Sequence, residues 1–177
     1  MKAAIYSMLS LLCMSCRGQN IQHKADNSKT EKVTPIDTVS ILPLRNKHYS
    51  PFSYVILRLE LSDFDKSGHS IKKIVVTRDN KTVASILLPN SEDVKNFSIS
   101  EIAETERGFK IVVDWGGGNY FYGREFYFTF KVNQFYLDSL EIKSYKQERE
   151  KETKTTKKIN PPIPIGKFDI ISYLDNE

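Results

Sequence analysis

Between Glu125 and Val132 the large apolar residues fall on every second position. Phe126, Phe128, Phe130 and Val132 lie to one side, and Glu125, Tyr127, Thr129 and Lys131 to the other. A period of two describes a strand with one buried face and does not fit the 3.6-residue helical period. Shorter stretches repeat the pattern. Phe109, Ile111 and Val113 alternate with Lys110, Val112 and Asp114, and Val55, Leu57, Leu59 and Leu61 alternate with Ile56, Arg58 and Glu60. In the latter stretch the valine and leucines are the expected core side. Asp79-Asn80 between Ile71–Thr77 and Val83–Leu88 tolerates positive φ and predicts a tight hairpin. Asn133-Gln134 predicts another, with a bulge near Asp138-Ser139 where the apolar parity of the returning strand changes. Phe97–Ile102 reads as a strand or as a short helix beginning at Ser100. No long amphipathic helix is written anywhere in the body, and no repeat of fixed period is present. The expected fold is all-β, a single antiparallel sandwich or barrel-like domain preceded by a flexible tether.

The 177 residues leave room for one domain with tails. Residues 1–15 have the proportions of a secretory signal. Lys2 is followed by about a dozen mostly apolar residues, too few for the roughly 20 that span a bilayer. Both cysteines, Cys13 and Cys16, lie at the end of this run and none occurs later. Ser15-Cys16 resembles the cleavage point of a bacterial lipoprotein signal, with Leu12 one position further upstream than in the usual pattern. The resemblance implies lipidation at Cys16 and an acyl anchor in the bilayer, outer-membrane and facing the periplasm, since no aspartate follows the cysteine. A plain secretory signal or an N-terminal cytosolic helix are the other readings. Residues 16–45 carry no sustained period and read as the lipidated, flexible tether. Val39–Leu44 is a weak strand candidate because Pro43 interrupts it. The β-domain is expected over 46–177. Within it, the charged stretch 146–160 is expected to be a solvated loop, a short exposed helix being the alternative. The apolar residues of Lys167–Leu174 suggest a final strand that docks back on the domain.

Two segments are candidates for function. Asp114–Gly123 contains the only tryptophan and four of the eight glycines. Trp115, Gly116, Gly117, Gly118, Asn119, Tyr120 and Tyr122 form a candidate partner-binding loop, because Trp and Tyr offer rigid contact area at low entropic cost. The bland alternative is a hairpin whose aromatics cap the core. The glycines lack the Gly-Lys-Ser/Thr ending and following helix of a phosphate loop. Strand, glycine-rich loop, aromatic strand, Asn-Gln and Phe-Tyr-Leu over Phe109–Tyr145 resemble small periplasmic lysozyme-inhibitor and effector-immunity β-proteins. That resemblance implies a muramidase or toxin as partner, with Gly117, Gly118 and Asn119 at the inserted tip. The second segment, Asp63-Phe64-Asp65-Lys66-Ser67-Gly68, matches the opening of a calcium loop. Asp63, Asp65 and Ser67 would supply oxygens, but Ile74 stands where the closing glutamate belongs.

Cofactor-dependent chemistry has little support otherwise. The three histidines, His23, His48 and His69, are scattered, and no arrangement suggests an activated nucleophile. Asp114 and Glu125 flank the glycine segment and offer the one carboxylate pair that could serve a hydrolase. The net charge of +4 owes much to Lys143–Lys158, away from most of the aromatics, which argues against nucleic-acid binding. The expectation is an envelope-anchored protein-binding lipoprotein that inhibits a cell-wall hydrolase. A structural or assembly lipoprotein is the alternative, and it expects Trp115 to be buried.

Overall fold

The computed structural model describes residues 36–64, 68–146 and 151–174. Cys16, Asp65 and Ser67 lie outside these residues, and so does the lipid-anchor reading; of the calcium candidates only Asp63 falls within them, on the second strand. The described chain contains nine strands in two antiparallel sheets, with no α-helix. The first sheet has the order β1 (Ile36–Leu44), β2 (Tyr54–Phe64), β3 (Ser70–Arg78), β4 (Lys81–Leu87). The second has the order β5 (Ser98–Thr105), β6 (Gly108–Gly117), β7 (Tyr120–Lys131), β8 (Gln134–Lys146), β9 (Lys151–Pro164). Each strand pairs with its sequence neighbour, so both sheets are simple meanders. One apolar core lies between them, confirming the β-sandwich. At one edge the sheets are tied together by Glu104, whose carboxylate accepts from the backbone N–H of Arg45 (2.9 Å) and Asn46 (2.7 Å).

The core is mainly aromatic and branched aliphatic. Phe109, Ile111, Val113, Phe126 and Phe128 from the second sheet face Ile56, Ile74, Val76 and Ile86 from the first. Phe109 stacks on Phe128 at 4.8 Å between centroids, and Phe135 meets Phe109 edge-on at 5.0 Å. Tyr49, on a 3-10 turn between β1 and β2, closes one end. Its ring is edge-on to Phe130 at 5.1 Å and its hydroxyl donates to the carbonyl of Gly108 at 3.0 Å. Burial, and secondarily the Glu104 charge, holds this phenol well above its ordinary pKa.

Four expectations are corrected. In β2 the side facing the sandwich core is Tyr54 and Ile56, each 1% exposed; of the Val55–Leu61 set only Leu59 is buried, at 8%, outside that core. At 54–57 both parities are apolar, so alternation alone does not choose a face. The choice falls to Tyr54, whose ring lies edge-on to Phe130 and Phe135 and whose hydroxyl reaches the Asn133 carbonyl at 3.2 Å. The tether does not extend to residue 45, because β1 pairs along β2 from Ile36↔Leu61 to Leu44↔Tyr54. Pro43 is accommodated because β1 is an edge strand, where a missing donor costs little. The described residues of the stretch 146–160 are strand and not loop. β8 runs to Lys146, and β9 returns from Lys151 in register with it. Thr153, Thr155 and Thr156 suit a pleated strand, and an edge strand facing water needs no apolar side chains. Lys167–Leu174 does dock on the core, through Phe168, Ile170 and Leu174, but as irregular chain with a 3-10 turn at Ile171–Tyr173, just after another at Ile165–Lys167, and not as a strand.

The turns show how local chemistry sets register. Asp79 and Asn80 adopt φ of 50° and 64°, as their residue types allow. The bulge falls at Asp138, skipped between the pairs Phe128↔Leu137 and Tyr127↔Ser139. The β7–β8 turn lies one residue earlier than expected, at Val132-Asn133, because Lys131 pairs with Gln134. Val132 therefore sits at φ 47° while 89% exposed. A β-branched residue in this region carries a backbone penalty of about 1–2 kcal/mol, with no packing here to offset it. Val132→Asn is accordingly expected to stabilise the protein by about 1 kcal/mol, read as a higher urea midpoint with an unchanged slope.

Candidate functional site

The glycine-rich segment is a hairpin, and most of it is sheet. β6 and β7 pair without interruption to Gly117↔Tyr120, leaving Gly118 and Asn119 as the turn. Gly118 has φ 64°, the conformation a type II′ turn assigns to glycine at its first central position. The hairpin does not stand clear of its surroundings. On one side Tyr120 pairs with Lys146, and Lys146 with Lys151. On the other, Gly116 N–H donates to the Lys95 carbonyl (3.0 Å) and Asn96 Nδ2 donates to the Gly116 carbonyl (2.7 Å).

The candidate residues divide between the two faces of this hairpin. On the inner face Trp115 is buried, at 6% exposure, and does not face solvent. It is part of a stack running Arg124, Trp115, Tyr122, Tyr120, Lys146. The Arg124 guanidinium lies 4.8 Å from the Trp115 ring, Trp115 and Tyr122 stack at 5.6 Å, Tyr122 and Tyr120 at 6.5 Å, and Lys146 Nζ caps Tyr120 at 5.1 Å. Arg124 is itself buried and donates to the carbonyls of Tyr173 (3.2 Å), Gly123 (3.0 Å) and Lys143 (3.4 Å). The aromatics thus cap the core, as the bland reading held. Only the Tyr120 end of the stack reaches solvent, at 45% exposure.

The outer face carries residues that composition did not single out. Phe121 (49% exposed) and Tyr145 (36%) are cross-strand neighbours with ring centroids 6.5 Å apart. Beside them a cavity of about 430 Å3 opens over Gly123, bordered by Ser98, Asp114, Phe121, Lys143, Tyr145 and Glu152. Gly123 forms its floor, where a Cβ would lie 2.9 Å from Asp114 Oδ1 and displace that carboxylate. Sequence patterning hides this site because its parts come from five strands, and only the register β5–β6–β7–β8–β9 brings them side by side.

Next to the cavity, the outer face is an ion-pair lattice. Lys110 joins Glu101 (2.7 Å) and Glu125 (3.6 Å). Lys143 bonds Glu125 and lies 3.4 Å from Glu141, which also receives Lys154 at 2.8 Å. Burial raises the Glu125 pKa, but hydrogen bonds from Lys143 and Tyr127 and the charges of Lys143 and Lys110 outweigh it and hold the carboxyl at about 2. The bond to Glu125 in turn pushes Tyr127 up to about 12. A carboxyl this acidic carries no proton to donate at neutral pH. Glu125 therefore cannot serve as the general acid of a glycoside-hydrolase carboxylate pair.

No family model, no curated protein and no solved structure matches this chain. Among the described residues no group of acidic, histidine or cysteine side chains is gathered as a metal site, and no helix is long and apolar enough to cross a membrane.

Proposed function

We propose that the protein is an envelope-anchored protein-binding module whose contact surface is the hairpin end of the second sheet. The observation that carries this reading is the pair of exposed rings Phe121 and Tyr145 at the rim of the 430 Å3 cavity, with Tyr120 exposed on the other face beside the Gly118-Asn119 turn. Exposed aromatics gathered on a rigid element are characteristic of contact surfaces, and the part of this face next to them is an ion-pair lattice. The envelope location rests on the Cys16 motif. Inhibition of a cell-wall hydrolase is the concrete form suggested by the sequence resemblance. In that form the Gly118-Asn119 turn meets the enzyme, and Tyr120 and Phe121 pack beside it.

A muramidase turbidity assay tests this directly. The wild-type protein is expected to slow lysis, and Asn119→Arg and Phe121→Ser are each expected to reduce that inhibition at least about tenfold without lowering Tm. Both positions are exposed, so a loss of inhibition would not reflect unfolding. Inhibition unchanged in both variants removes the hairpin end as the contact surface. The second reading, a structural or assembly lipoprotein, is favoured by the burial of Trp115 under Arg124. It expects no inhibition by the wild-type protein and no effect of either substitution on the protein's place in the envelope.

A further inference from the structure

Acidic groups on the outer face of the second sheet fall into two sets. Glu101, Glu125, Asp138 and Glu141 each have a lysine within 3.6 Å. Among the described residues, Asp114 and Glu152 have no ion-pair partner, and both border the cavity over Gly123. The one lysine that borders it, Lys143, lies directly across Gly123 from Asp114 in the strand register, yet its ammonium is turned away to Glu125 and Glu141. Glu125 and Glu141 thereby engage the one lysine that borders the cavity. The cavity is left with net negative charge, aromatic walls on one side and a carboxylate leaning across a side-chain-free floor.

We infer that this cavity is a receptor for a guanidinium group, the arginine side chain of a partner protein. Three features select that chemistry. A carboxylate offers two oxygens to the two parallel N–H donors of a guanidinium, a match that an ammonium does not make. The Phe121 and Tyr145 rings present π faces at which a planar cation gains cation–π attraction and its alkyl stem gains apolar contact. Glu152, directly across from Tyr145 in the register, supplies a second negative charge that attracts a cation and repels an anion. The volume is within the range of ordinary ligand pockets and is large enough for a side chain but not for a folded element. The inference rests on the protein-binding reading only in naming a partner's side chain as the source of the cation.

The test needs no partner. Amide spectra of the full chain are recorded by NMR during titration with N-acetyl-arginine methylamide. Parallel titrations use the uncharged N-acetyl-glutamine methylamide and N-acetylglucosamine. Saturable shifts are expected at Gly123, Phe121 and Tyr145 with the arginine probe and not with the other two. Asp114→Asn, a near-isosteric change at an exposed position, is expected to weaken arginine binding about tenfold. Gly123→Ala is a second variant that narrows the floor and crowds the Asp114 carboxylate, whose Oδ1 would lie 2.9 Å from the added Cβ, and is expected to weaken binding too. No saturable shift at these amides, equal shifts with glutamine, a preference for the sugar, or wild-type affinity in Asp114→Asn would each overturn the assignment. Lost muramidase inhibition with intact arginine binding would refute the broader function and leave the receptor standing; the converse would refute the receptor alone.

Discussion

Arg124→Ala is expected to destabilise the protein by about 3–5 kcal/mol, a fall in Tm on the order of 10 °C, and to open Trp115 to quenchers. Arg124 is 4% exposed and occupies a core-facing position of β7 that the alternation Arg124, Phe126, Phe128 would assign to an apolar residue. It is tolerated there because its guanidinium satisfies three backbone carbonyls and stacks on the indole. Truncation removes the cation–π contact and leaves those carbonyls to find new partners. It also cuts the bond to the Tyr173 carbonyl that ties the C-terminal 3-10 turn to β7. Because Trp115 is the sole tryptophan, its emission reports this region alone. A red shift with increased acrylamide quenching is the expected signature. Arg124→Lys is expected to recover less than half of the loss, since an ammonium can neither fork between carbonyls nor lie flat on the ring. A variant with wild-type Tm and a still-protected tryptophan would show that the stack does not hold the hairpin in place.

Arg124 also marks the limit of what alternation reveals. β6 and β7 were legible because one parity was the more apolar: Phe109, Ile111 and Val113 alternate with Lys110, Val112 and Asp114, and the first three are fully buried. β2 was legible as a strand but not as a face, since Tyr54, Val55, Ile56 and Leu57 make either side a reasonable choice until the tyrosine cluster at Tyr49, Phe130 and Phe135 decides it. The β9 strand was hidden by its charge. Its lysines meet Glu141 and Asp138 across the strands, and such partners become visible only after the register is known. The same holds for the cavity over Gly123. Asp114 stood out in the sequence, but Phe121, Tyr145 and Glu152 each look like ordinary surface residues until β7, β8 and β9 are laid side by side. The glycine-rich hairpin drew attention for its aromatics, yet Trp115 and Tyr122 serve chiefly to close the sandwich. What remains available for contact is the outer side of that hairpin.

Acidification is expected to unfold the protein in a window set by Glu125. This carboxylate is central to the outer-face lattice, its side chain only 11% exposed, and its pKa is lowered from 4.5 to about 2. Burial alone would raise it; Lys143, Tyr127 and Lys110 together overcome that penalty. Because the folded-state value lies below the unfolded one, the unfolded chain takes up the proton first as pH falls. The stabilisation is therefore complete above about pH 5 and is lost progressively towards pH 2, amounting to on the order of 3 kcal/mol. Asp138, where Lys158 outweighs the effect of burial, and Glu60, lowered chiefly by its hydrogen bond from Ser70, titrate in the same direction. Urea unfolding from pH 7 to 2.5 should show a steep fall in the midpoint across this window. Glu125→Gln removes the titrating group and also leaves Lys143 and Lys110 without their shared anion. It is expected to be less stable than wild type at pH 7 and to show a much shallower decline below about pH 5, so that the two curves converge in acid. Parallel curves would mean that the acid sensitivity belongs to other carboxylates, and that the lattice around Glu125 contributes little to holding β6, β7 and β8 in register.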